Sequence, residues 1–497
     1  MTKNRREILK QGVSSLAFAL MSSTIKPIFA VTQDILDVAI IGGGLAGLSF
    51  AYKLKNKNLS TVIFEASATK LGGRIRTLKN FNSDQQYVEL GAEYLNKNHF
   101  NTLNICKELG LKIIDVNSPL ATKKNMDVFY CDNRSISQNE LNEVSQILLN
   151  LINNDLKNAP KDEIGNILWP DYTSNNEFWN QLDKLSVAEY LYKFNQYLPK
   201  WYHDLILNGL ATLNGTDTSI QSCISLLQFF PKEIDSQKFS LWQECDESLK
   251  IVGGNSSLIK KLKDDVSKKT TINMEYKLIK IVDKINHFIL TFATPSGIKE
   301  VKSYRVVLAV PCKILKEIEG INTLELSKVK KDAIQNYGFG TNAKIILRFN
   351  NKIWTEKNQK TLIEKRLGSD EICGAIWEST RHQKGAKGAL TLLLGGKTGE
   401  QQNKEHYTMA LKLFSKLYPN ITNYYDNRKT SLYWTQQPLI KGSYSSPLIG
   451  QFTSLYGCWK QPELNNRLHF IGEHVSTDYY GYMEGACESA CQLASQF

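Results

Sequence analysis

Three glycines at fixed spacing, Gly42, Gly44 and Gly47, are the residues whose types and positions point most directly to chemistry. They follow the run 37–41, which is typical of a short buried strand, and apolar residues at helical spacing come after them. At a strand-to-helix turn, the first glycine permits the tight turn, the second lets a pyrophosphate approach the backbone, and the third lets the helix pack on the strand. The N–H groups at the start of the helix then face the phosphates. The spacing therefore predicts a dinucleotide-binding turn.

An acidic residue at a suitable distance strengthens this prediction. A second strand-like run, 61–64, ends in Glu65, which lies 18 residues after Gly47. A carboxylate at this position can accept hydrogen bonds from the ribose hydroxyls, and it disfavours the 2′-phosphate of NADP. A second glycine pair, Gly72 and Gly73, precedes Arg74, and this segment could enclose the diphosphate from its other side. These features favour FAD over NAD.

Segments near both ends of the chain are similar to the flavin-containing amine oxidase family, which includes monoamine oxidases, polyamine oxidases and L-amino-acid oxidases. These segments are residues 65–77, 88–93 and 468–486. The resemblance implies the α/β fold class, with a Rossmann-like FAD-binding domain built from discontinuous segments and an α+β substrate domain. It also implies that FAD contacts Gly42, Gly44, Ala46, Gly47, Glu65, Ala66, Gly72, Gly73, Arg74, Gly91, Ala92, Leu278, Glu473, Gly481, Tyr482 and Met483.

The same resemblance assigns catalytic roles to Lys344, Tyr444 and Tyr482. Lys344 lies in the strand-like run 338–349 and resembles the family lysine that faces flavin N5 through water. An ammonium group there would place positive charge near the O2 that receives the electrons. Without the resemblance, a single lysine on a strand is more commonly a solvated surface residue. The two tyrosines resemble the walls of an aromatic cage that aligns the amine with N5.

The residue before Tyr444 separates this chain from the mitochondrial monoamine oxidases. Those enzymes carry a cysteine at this position, and it is bonded to the flavin. This chain carries Ser443 instead. We therefore predict that FAD is bound non-covalently.

The resemblance implies FAD-dependent oxidative deamination of a primary or secondary amine. Two electrons would pass to O2 and give H2O2, and the imine would hydrolyse to an aldehyde and ammonia or an amine. The L-amino-acid oxidases of the family carry an arginine just after the segment that matches Gly91 and Ala92. This chain has no arginine at 93–96. Because this arginine is missing, the sequence favours a substrate amine without a carboxylate. It does not distinguish among aromatic monoamines, diamines and polyamines.

Two other enzyme classes also remain open from the sequence. An L-amino-acid oxidase would need an arginine elsewhere, such as Arg348 or Arg381. A flavin-dependent desaturase would share the nucleotide-binding segments and would not need Lys344 or the tyrosine pair. For Glu93, the sequence is compatible with attraction of a cationic amine and with a structural acid beside the flavin.

The chain has 497 residues, which suits two or three domains. Strand-like spacing gives way to helical spacing and then returns, so we predict domains built from separated segments. The predicted parts are a twin-arginine-like signal at 1–30, FAD-binding segments at 31–95, 251–325 and 456–497, a mainly helical part of the substrate domain at 96–250, and the sheet of the substrate domain at 326–455.

Residues 1–30 resemble a twin-arginine export signal. The pair Arg5 and Arg6 precedes an apolar stretch, 12–21, that is shorter than the about 20 residues needed for a bilayer span. The sequence therefore predicts a periplasmic or secreted protein. No later stretch has about 18 uninterrupted apolar residues, which predicts no stable membrane span in the mature chain.

Composition argues against nucleic-acid binding and against a metal centre. The formal net charge is +12, but only 11 of the 61 basic residues are arginine, and the lysines are scattered. Nucleic-acid recognition would favour a concentrated basic face. No set of cysteines and histidines has the spacing of a zinc site, so we predict no metal. The predicted partners are a small amine and O2, and the sequence does not specify an oligomeric state.

Overall fold

A computed structural model describes residues 35–116, 128–234, 246–355, 367–369 and 374–497. The strands are β1 Leu36–Ile41, β2 Thr61–Phe64, β3 Thr77–Leu78, β4 Val88–Glu89, β5 Ile113–Asp115, β6 Val128–Cys131, β7 Arg134–Ser135, β8 Leu249–Ile251, β9 Thr271–Asn273, β10 Lys277–Asp283, β11 Phe288–Thr294, β12 Gly297–Leu308, β13 Ala343–Phe349, β14 Leu367–Ser369, β15 Gly374–Glu378, β16 Gly388–Leu394, β17 Tyr425–Tyr433 and β18 Leu468–Phe470. The predicted export signal lies outside the described residues.

Helices fill most of the connections between these strands. They are α1 Leu45–Leu54, α2 Phe100–Glu108, α3 Gln138–Asp155, α4 Glu177–Asp183, α5 Val187–Tyr192, α6 Lys200–Asn214, α7 Cys223–Phe229, α8 Ser256–Val266, α9 Cys312–Leu315, α10 Lys328–Asn336, α11 Gly396–Glu400, α12 Glu405–Leu417 and α13 Met483–Ala494. Within the described ranges, none of these helices combines the length and the apolar character that a bilayer crossing requires.

The first large sheet collects strands from three distant parts of the chain. Its order is β10-β11-β12-β1-β2-β9, and β18 pairs with β12. The central strand β1 lies parallel to both β12 and β2. Its residues from Val38 to Ile41 are buried because a hydrophobic core covers each face of the sheet. Helices α1 and α13 pack together on one face, where Ser49 and Cys487 are in contact. This arrangement confirms the predicted Rossmann-like α/β fold.

The second large sheet carries the strand that presents Lys344. Its order is β17-β13-β16-β15-β14-β6-β7. Antiparallel pairing with β16 and β17 buries every residue of β13. Strands β6 and β7 come from the range 96–250, which the sequence predicts to be mainly helical. They join this sheet because β6 pairs in parallel with β14. The predicted domain boundaries remain a prediction.

A helical core beside the second sheet completes one wall of the site. Helices α3 to α7 bury large side chains against one another, among them Trp179, Tyr190 and Tyr202. Helix α6 ends at Gly215, whose left-handed backbone (φ +66°) stops the helix. The carbonyl of Gly215 then accepts a hydrogen bond from the backbone N–H of Thr341 at 2.7 Å, which ties the end of α6 to the start of β13.

Candidate active site

The glycine turn between β1 and α1 has a separate steric reason for each glycine. Gly42 adopts φ +112°, and a Cβ there would lie 2.6 Å from the carbonyl oxygen of Ala309. A Cβ on Gly47 would lie 2.1 Å from the carbonyl oxygen of Gly42. By contrast, a Cβ on Gly44 would meet no atom within 4 Å. Gly42 and Gly47 therefore permit close backbone packing, whereas Gly44 leaves open space beside the turn.

Glu65 fixes the backbone around this turn. Its carboxylate accepts a hydrogen bond from the N–H of Gly43 at 2.7 Å and another from the N–H of Ser67 at 2.7 Å. Burial raises the pKa of Glu65 above its ordinary value, although these two backbone hydrogen bonds act in the opposite direction. Each carboxylate oxygen keeps a further lone pair, so the side chain can still accept from a ribose hydroxyl.

A cavity of about 660 Å³ begins at this turn and continues to the second sheet. It is lined by all of the residues predicted to contact FAD, except Gly47, and also by Lys344 and Tyr444. Gly47 is excluded because it faces the strand backbone, which is the packing role predicted for the third glycine. The predicted cofactor and catalytic residues therefore share one space, although their roles stay predictions.

The cavity retains features that suit a bound dinucleotide. Both ring nitrogens of His474, which lines it, are buried without a hydrogen-bond partner within the described part of the chain. Helix α1 begins without a capping side chain, so its first N–H groups are available to an anion. Together with the open space at Gly44, these features fit a flavin dinucleotide.

Arg74 and Glu473 form an ion pair at the cavity wall. The Arg74 guanidinium donates to Glu473 at 2.6 Å and to the carbonyl of Ser443 at 2.9 Å. Burial would raise the pKa of Glu473, but the nearby charge of Arg74 and the hydrogen bonds from Ser445 and Arg74 together hold that pKa below its ordinary value. Glu473 also accepts from the backbone N–H groups of Ser445 at 3.1 Å and Gly481 at 2.7 Å. The pair thus joins three loops around the predicted diphosphate region.

Lys344 is buried, and it is not a solvated strand residue. Its ammonium group donates to the carbonyl oxygens of Glu89 at 3.1 Å and Gly91 at 2.8 Å, and to the Glu93 carboxylate at 2.8 Å. The Trp377 ring centroid lies 5.1 Å from the same nitrogen. Because Gly91 and Glu93 also line the cavity, Lys344 is placed beside the segment predicted to pass along the flavin.

Glu93 is held between two lysines. Its other carboxylate oxygen accepts from Lys250 at 2.9 Å, so the carboxylate joins Lys250 to Lys344. Burial would raise the pKa of Glu93, but the two ammonium groups outweigh burial and hold it below its ordinary value. The carboxylate is therefore already neutralised by the protein. This finding favours the structural interpretation of Glu93 over attraction of a cationic amine.

Tyr444 and Tyr482 lie in the same part of the cavity. The Tyr444 ring packs against Gly481, the residue before Tyr482, since a Cβ on Gly481 would lie 3.3 Å from that ring. The Tyr444 hydroxyl donates to the carbonyl of Leu213 at 2.5 Å. The Tyr482 ring makes an edge contact with His99 at a centroid distance of 5.3 Å. Both rings are thus positioned by neighbours on different elements.

The loop of residues 442–446 connects Tyr444 to the rest of the site. The N–H of Ser443 donates to the carbonyl of Gly340 at 2.8 Å, and the N–H of Gly340 donates to the carbonyl of Tyr444 at 2.7 Å. The Ser443 hydroxyl donates to the Asn342 side chain at 2.7 Å, and Ser445 donates to Glu473. Each of the three consecutive residues 443–445 is therefore held by a hydrogen bond to another segment of the chain.

Apolar and uncharged side chains form one wall of the cavity. In the described ranges, β6, α6, α7, β15 and β16 contribute no charged residue to the cavity. Their lining residues are Phe129, Leu205, Gly209, Thr212, Leu213, Asn214, Phe229, Gly374, Ala375, Trp377 and Leu393. Such a wall excludes water and favours an apolar ligand group.

The two arginines considered for a carboxylate clamp lie elsewhere. Arg348 follows Lys344 on β13, but it forms an ion pair with Asp426 and donates to the carbonyl of Phe81 at 3.1 Å. Neither Arg348 nor Arg381 lines the cavity. Among the described residues, only Arg74 and Arg76 bring a guanidinium to its wall.

Sequence reasoning missed Lys250, His474, Trp377 and Asn342. Lys250 lies on the three-residue strand β8, where one lysine gives no local pattern. His474 follows Glu473 directly, and its position in that predicted cofactor segment was the available signal. Trp377 and Asn342 reach the cavity only through the pairing of the second sheet, which the sequence does not show.

Fold and cavity together define an oxidoreductase that uses a dinucleotide cofactor. The family model described as flavin containing amine oxidoreductase matches residues 45–496. The chain therefore belongs to this family, and it is a flavin-containing amine oxidase.

Relatives and solved structures that cover most of the chain show how broad this family is. The chain is 23% identical to polyamine oxidase 5 of Oryza sativa subsp. japonica over 92% of its length and 87% of the relative's. It is 24% identical to the putative L-amino-acid oxidase YobN of Bacillus subtilis (strain 168), over 94% and 95%. The structure of cyclohexylamine oxidase from Brevibacterium oxydans IH-35A superposes with a TM-score of 0.75 at 19% identity, covering 93% and 99%. These names span three substrate classes, so similarity alone does not select one.

Proposed function

We propose that the protein binds FAD non-covalently and uses it to oxidise an amine that lacks a carboxylate. One observation carries the proposal: a single cavity is lined by the glycine turn, by the buried Lys344 ammonium group, and by the tyrosines 444 and 482. A flavin-dependent desaturase would not need the lysine or the tyrosine pair. Ser443 in place of a cysteine supports non-covalent binding.

The proposed reaction removes two electrons and two protons from the amine and gives an imine. Bound FAD would supply the two-electron chemistry, and O2 would take up both electrons and two protons to give H2O2. Water would then hydrolyse the imine to an aldehyde and ammonia or an amine. In total, one amine, one O2 and one water are consumed.

The protein's own part in this reaction is alignment and selection. Tyr444 and Tyr482 would hold the amine nitrogen between two ring faces. The apolar wall would favour the neutral amine over its ammonium form, because an unpaired charge is costly to bury. Lys344 would keep positive charge beside the segment 89–93.

The substrate is an amine whose remaining groups are apolar, such as an aromatic or cycloaliphatic monoamine. The wall formed by β6, α6, α7, β15 and β16 offers no carboxylate to a second ammonium group within the described residues. Glu93 is already paired with two lysines. A diamine or polyamine would therefore lose the hydration of its distal charge without gaining an ion pair from these groups. Glu247, on the segment just before β8, also lines the cavity, and it is the carboxylate that a distal ammonium group would have to reach.

A peroxide-coupled screen of the purified yellow protein tests both the proposed amine oxidation and the proposed substrate class. We expect cyclohexylamine and tyramine to be turned over with higher kcat/KM than putrescine, spermidine or L-amino acids. Turnover of L-amino acids alone would contradict the proposed function. Preference for putrescine or spermidine would contradict only the substrate class. Acid precipitation should release the flavin, and flavin that stays on the pellet would contradict non-covalent binding.

An amino-acid substrate is the second candidate, and Arg76 is the observation that favours it. Arg76 lines the cavity, lies 5.2 Å from the Trp434 ring and donates to Gln437 at 2.6 Å, so it is not committed to a carboxylate there. If this candidate holds, replacing Arg76 with Lys should raise KM for L-phenylalanine and leave KM for phenethylamine unchanged.

Export by the twin-arginine route is a further part of the proposal. Residues 1–30 support it through the pair Arg5 and Arg6 and the short apolar stretch after them. Fusing residues 1–30 to a folded reporter in a bacterium should deliver the reporter to the periplasm. Delivery that persists after the twin-arginine translocase is deleted, or after both arginines are replaced by lysine, would contradict this route.

A further inference from the structure

Three buried charges form a line that starts at the cavity and leads into the protein. Lys344 donates to one oxygen of the Glu93 carboxylate at 2.8 Å, and Lys250 donates to the other oxygen at 2.9 Å. The side chains of Lys344, Glu93 and Lys250 are only 8%, 3% and 3% exposed. Solvent therefore screens these charges very little, and the sum of the three matters to whatever occupies the cavity.

Lys250 is the one of these three charged residues that does not reach the cavity. Glu93 and Lys344 both line it, whereas Lys250 lies behind Glu93 on β8. Lys250 is held there by the carbonyl of Ser379 at 3.1 Å and by the Tyr94 ring, 4.9 Å from its nitrogen. It therefore touches neither amine nor flavin, and any effect it has must pass through Glu93.

The second lysine changes the charge of the cluster. Lys344 and Glu93 alone would form a neutral pair, and a neutral pair offers little net field to the cavity. With Lys250 these three side chains carry one positive charge in excess. Burial raises the pKa of the neighbouring Glu89 carboxyl to about 7, so at pH 6 Glu89 stays largely protonated and leaves that excess in place. Burial would lower the pKa of Lys250, but the Glu93 carboxylate outweighs burial and raises it, so Lys250 remains an ammonium group.

We propose that Lys250 is a positioning residue that keeps Glu93 ionised and Lys344 in place, and that it leaves the cluster with net positive charge toward the flavin. The inference rests on the proposed function. Positive charge at this wall stabilises the negative charge that accumulates when electrons reach the flavin and when they pass to O2. Lys250 thus sets the ease of flavin reduction without contacting the flavin.

Replacing Lys250 with Met tests the proposal, and Lys330→Met is its matched control. Lys330 is also fully buried, and its ammonium group donates to the carbonyls of Cys458 at 2.9 Å and Gln461 at 2.8 Å, but it does not line the cavity. Both variants lose a buried lysine, so both are expected to lose thermal stability. Only the first removes charge from the cluster.

The holoproteins are compared by dye-coupled measurement of the flavin reduction potential and by stopped-flow reoxidation with O2. We expect Lys250→Met to shift the reduction equilibrium about tenfold toward oxidised flavin, or about 30 mV for a two-electron couple. We also expect it to slow reoxidation about tenfold. Lys250→Arg should restore both quantities, and Lys330→Met should change neither.

A substitution that changes the charge of the cluster in the opposite direction distinguishes a role in charge from a role in packing. Glu93→Gln removes the negative charge and should raise the reduction potential, whereas Lys250→Met lowers it. A structural role for the cluster would shift both variants in the same direction, and that result would overturn the proposal. So would an unchanged potential in Lys250→Met, or an equal shift in Lys330→Met. If Lys250→Met does not fold, the direction of the Glu93→Gln shift decides.

Failure of this inference is distinguishable from failure of the proposed function. The potential is measured with a dye and a chemical reductant, so it needs no amine. If amines reduce the flavin but the potentials do not move as stated, the inference alone is wrong. If no amine in the screen reduces the flavin, the proposed function is wrong, whatever the potentials show.

Discussion

The nucleotide region and the amine region of the cavity are specified in different ways. Around β1 and α1, the chain itself makes the site: Gly42, Gly44 and Gly47 lie within six residues, and their backbone creates the turn. In the amine region, Lys344 and Tyr444 come from elements a hundred residues apart. The first region depends on space for backbone atoms, and the second on buried charges and rings held by distant partners.

The largest expected effect belongs to the nucleotide region. Replacing Gly47 with Ala places a Cβ 2.1 Å from the carbonyl oxygen of Gly42, so α1 cannot pack on β1 as it does. We expect the purified variant to contain no flavin, as measured by the ratio of absorbance at 450 nm to that at 280 nm. Gly44→Ala is the control, since its Cβ meets no protein atom within 4 Å. That variant should fold and lose only affinity for the flavin.

The second largest effect is expected at Lys344, in the amine region. Replacing Lys344 with Met removes the ammonium group that binds Glu89, Gly91 and Glu93. We expect reoxidation by O2 to slow by about 10²-fold while flavin content stays close to that of the wild type. Stopped-flow mixing of the reduced protein with O2 measures this rate. An unchanged rate would remove the assigned role of Lys344.

A smaller effect is expected at the tyrosine wall. Tyr444→Ala removes the ring that packs against Gly481, and kcat/KM for the best monoamine should fall about tenfold or more. Tyr444→Phe keeps the ring and removes the hydroxyl that donates to the Leu213 carbonyl, so its loss in kcat/KM should be smaller. Equal losses in the two variants would show that the hydroxyl, and not the ring face, controls alignment.

The two regions should also respond oppositely to pH. On the nucleotide side, burial lowers the pKa of His469 and of His474 to about 4. The unfolded chain takes up these protons below about pH 6.5, so the free energy of unfolding should fall as pH drops from 6.5 to 4. Each histidine contributes at most about 3 kcal/mol. His469→Gln should flatten this slope in urea unfolding, and an unchanged slope would contradict the assignment.

Glu89, which lies beside Lys344, gives the opposite pH dependence. Burial raises its pKa to about 7, so the folded protein binds a proton that the unfolded chain releases between about pH 4.5 and 7. Stability from this group falls as pH rises through that window. Glu89→Gln should therefore gain about 2.5 kcal/mol relative to the wild type at pH 8 compared with pH 5. A pH-independent difference would contradict the raised pKa.

The same contrast explains how much was predictable from the sequence. The dinucleotide-binding turn at Gly42–Gly47 follows from local spacing, because strand, glycines and helix are contiguous, whereas the full Rossmann-like domain was implied by the family resemblance. Lys344 and Tyr444 could be named only through resemblance to a family. The role of Lys250 could not be predicted, because its partner Glu93 is 157 residues away and a buried ion pair leaves no periodic pattern. Strands β6 and β7 were not predicted because β6 joins the sheet by pairing with β14, which lies far along the chain.

The ties along residues 443–445 limit how this enzyme can be redesigned. Changing the backbone near Tyr444 to accommodate a bulkier amine would also disturb Gly340 and Glu473, and with them the grip on the cofactor. Leu205, Phe229 and Leu393 reach the same cavity with apolar side chains from α6, α7 and β16. Libraries aimed at new amines should therefore vary those three positions and leave the tyrosine loop intact.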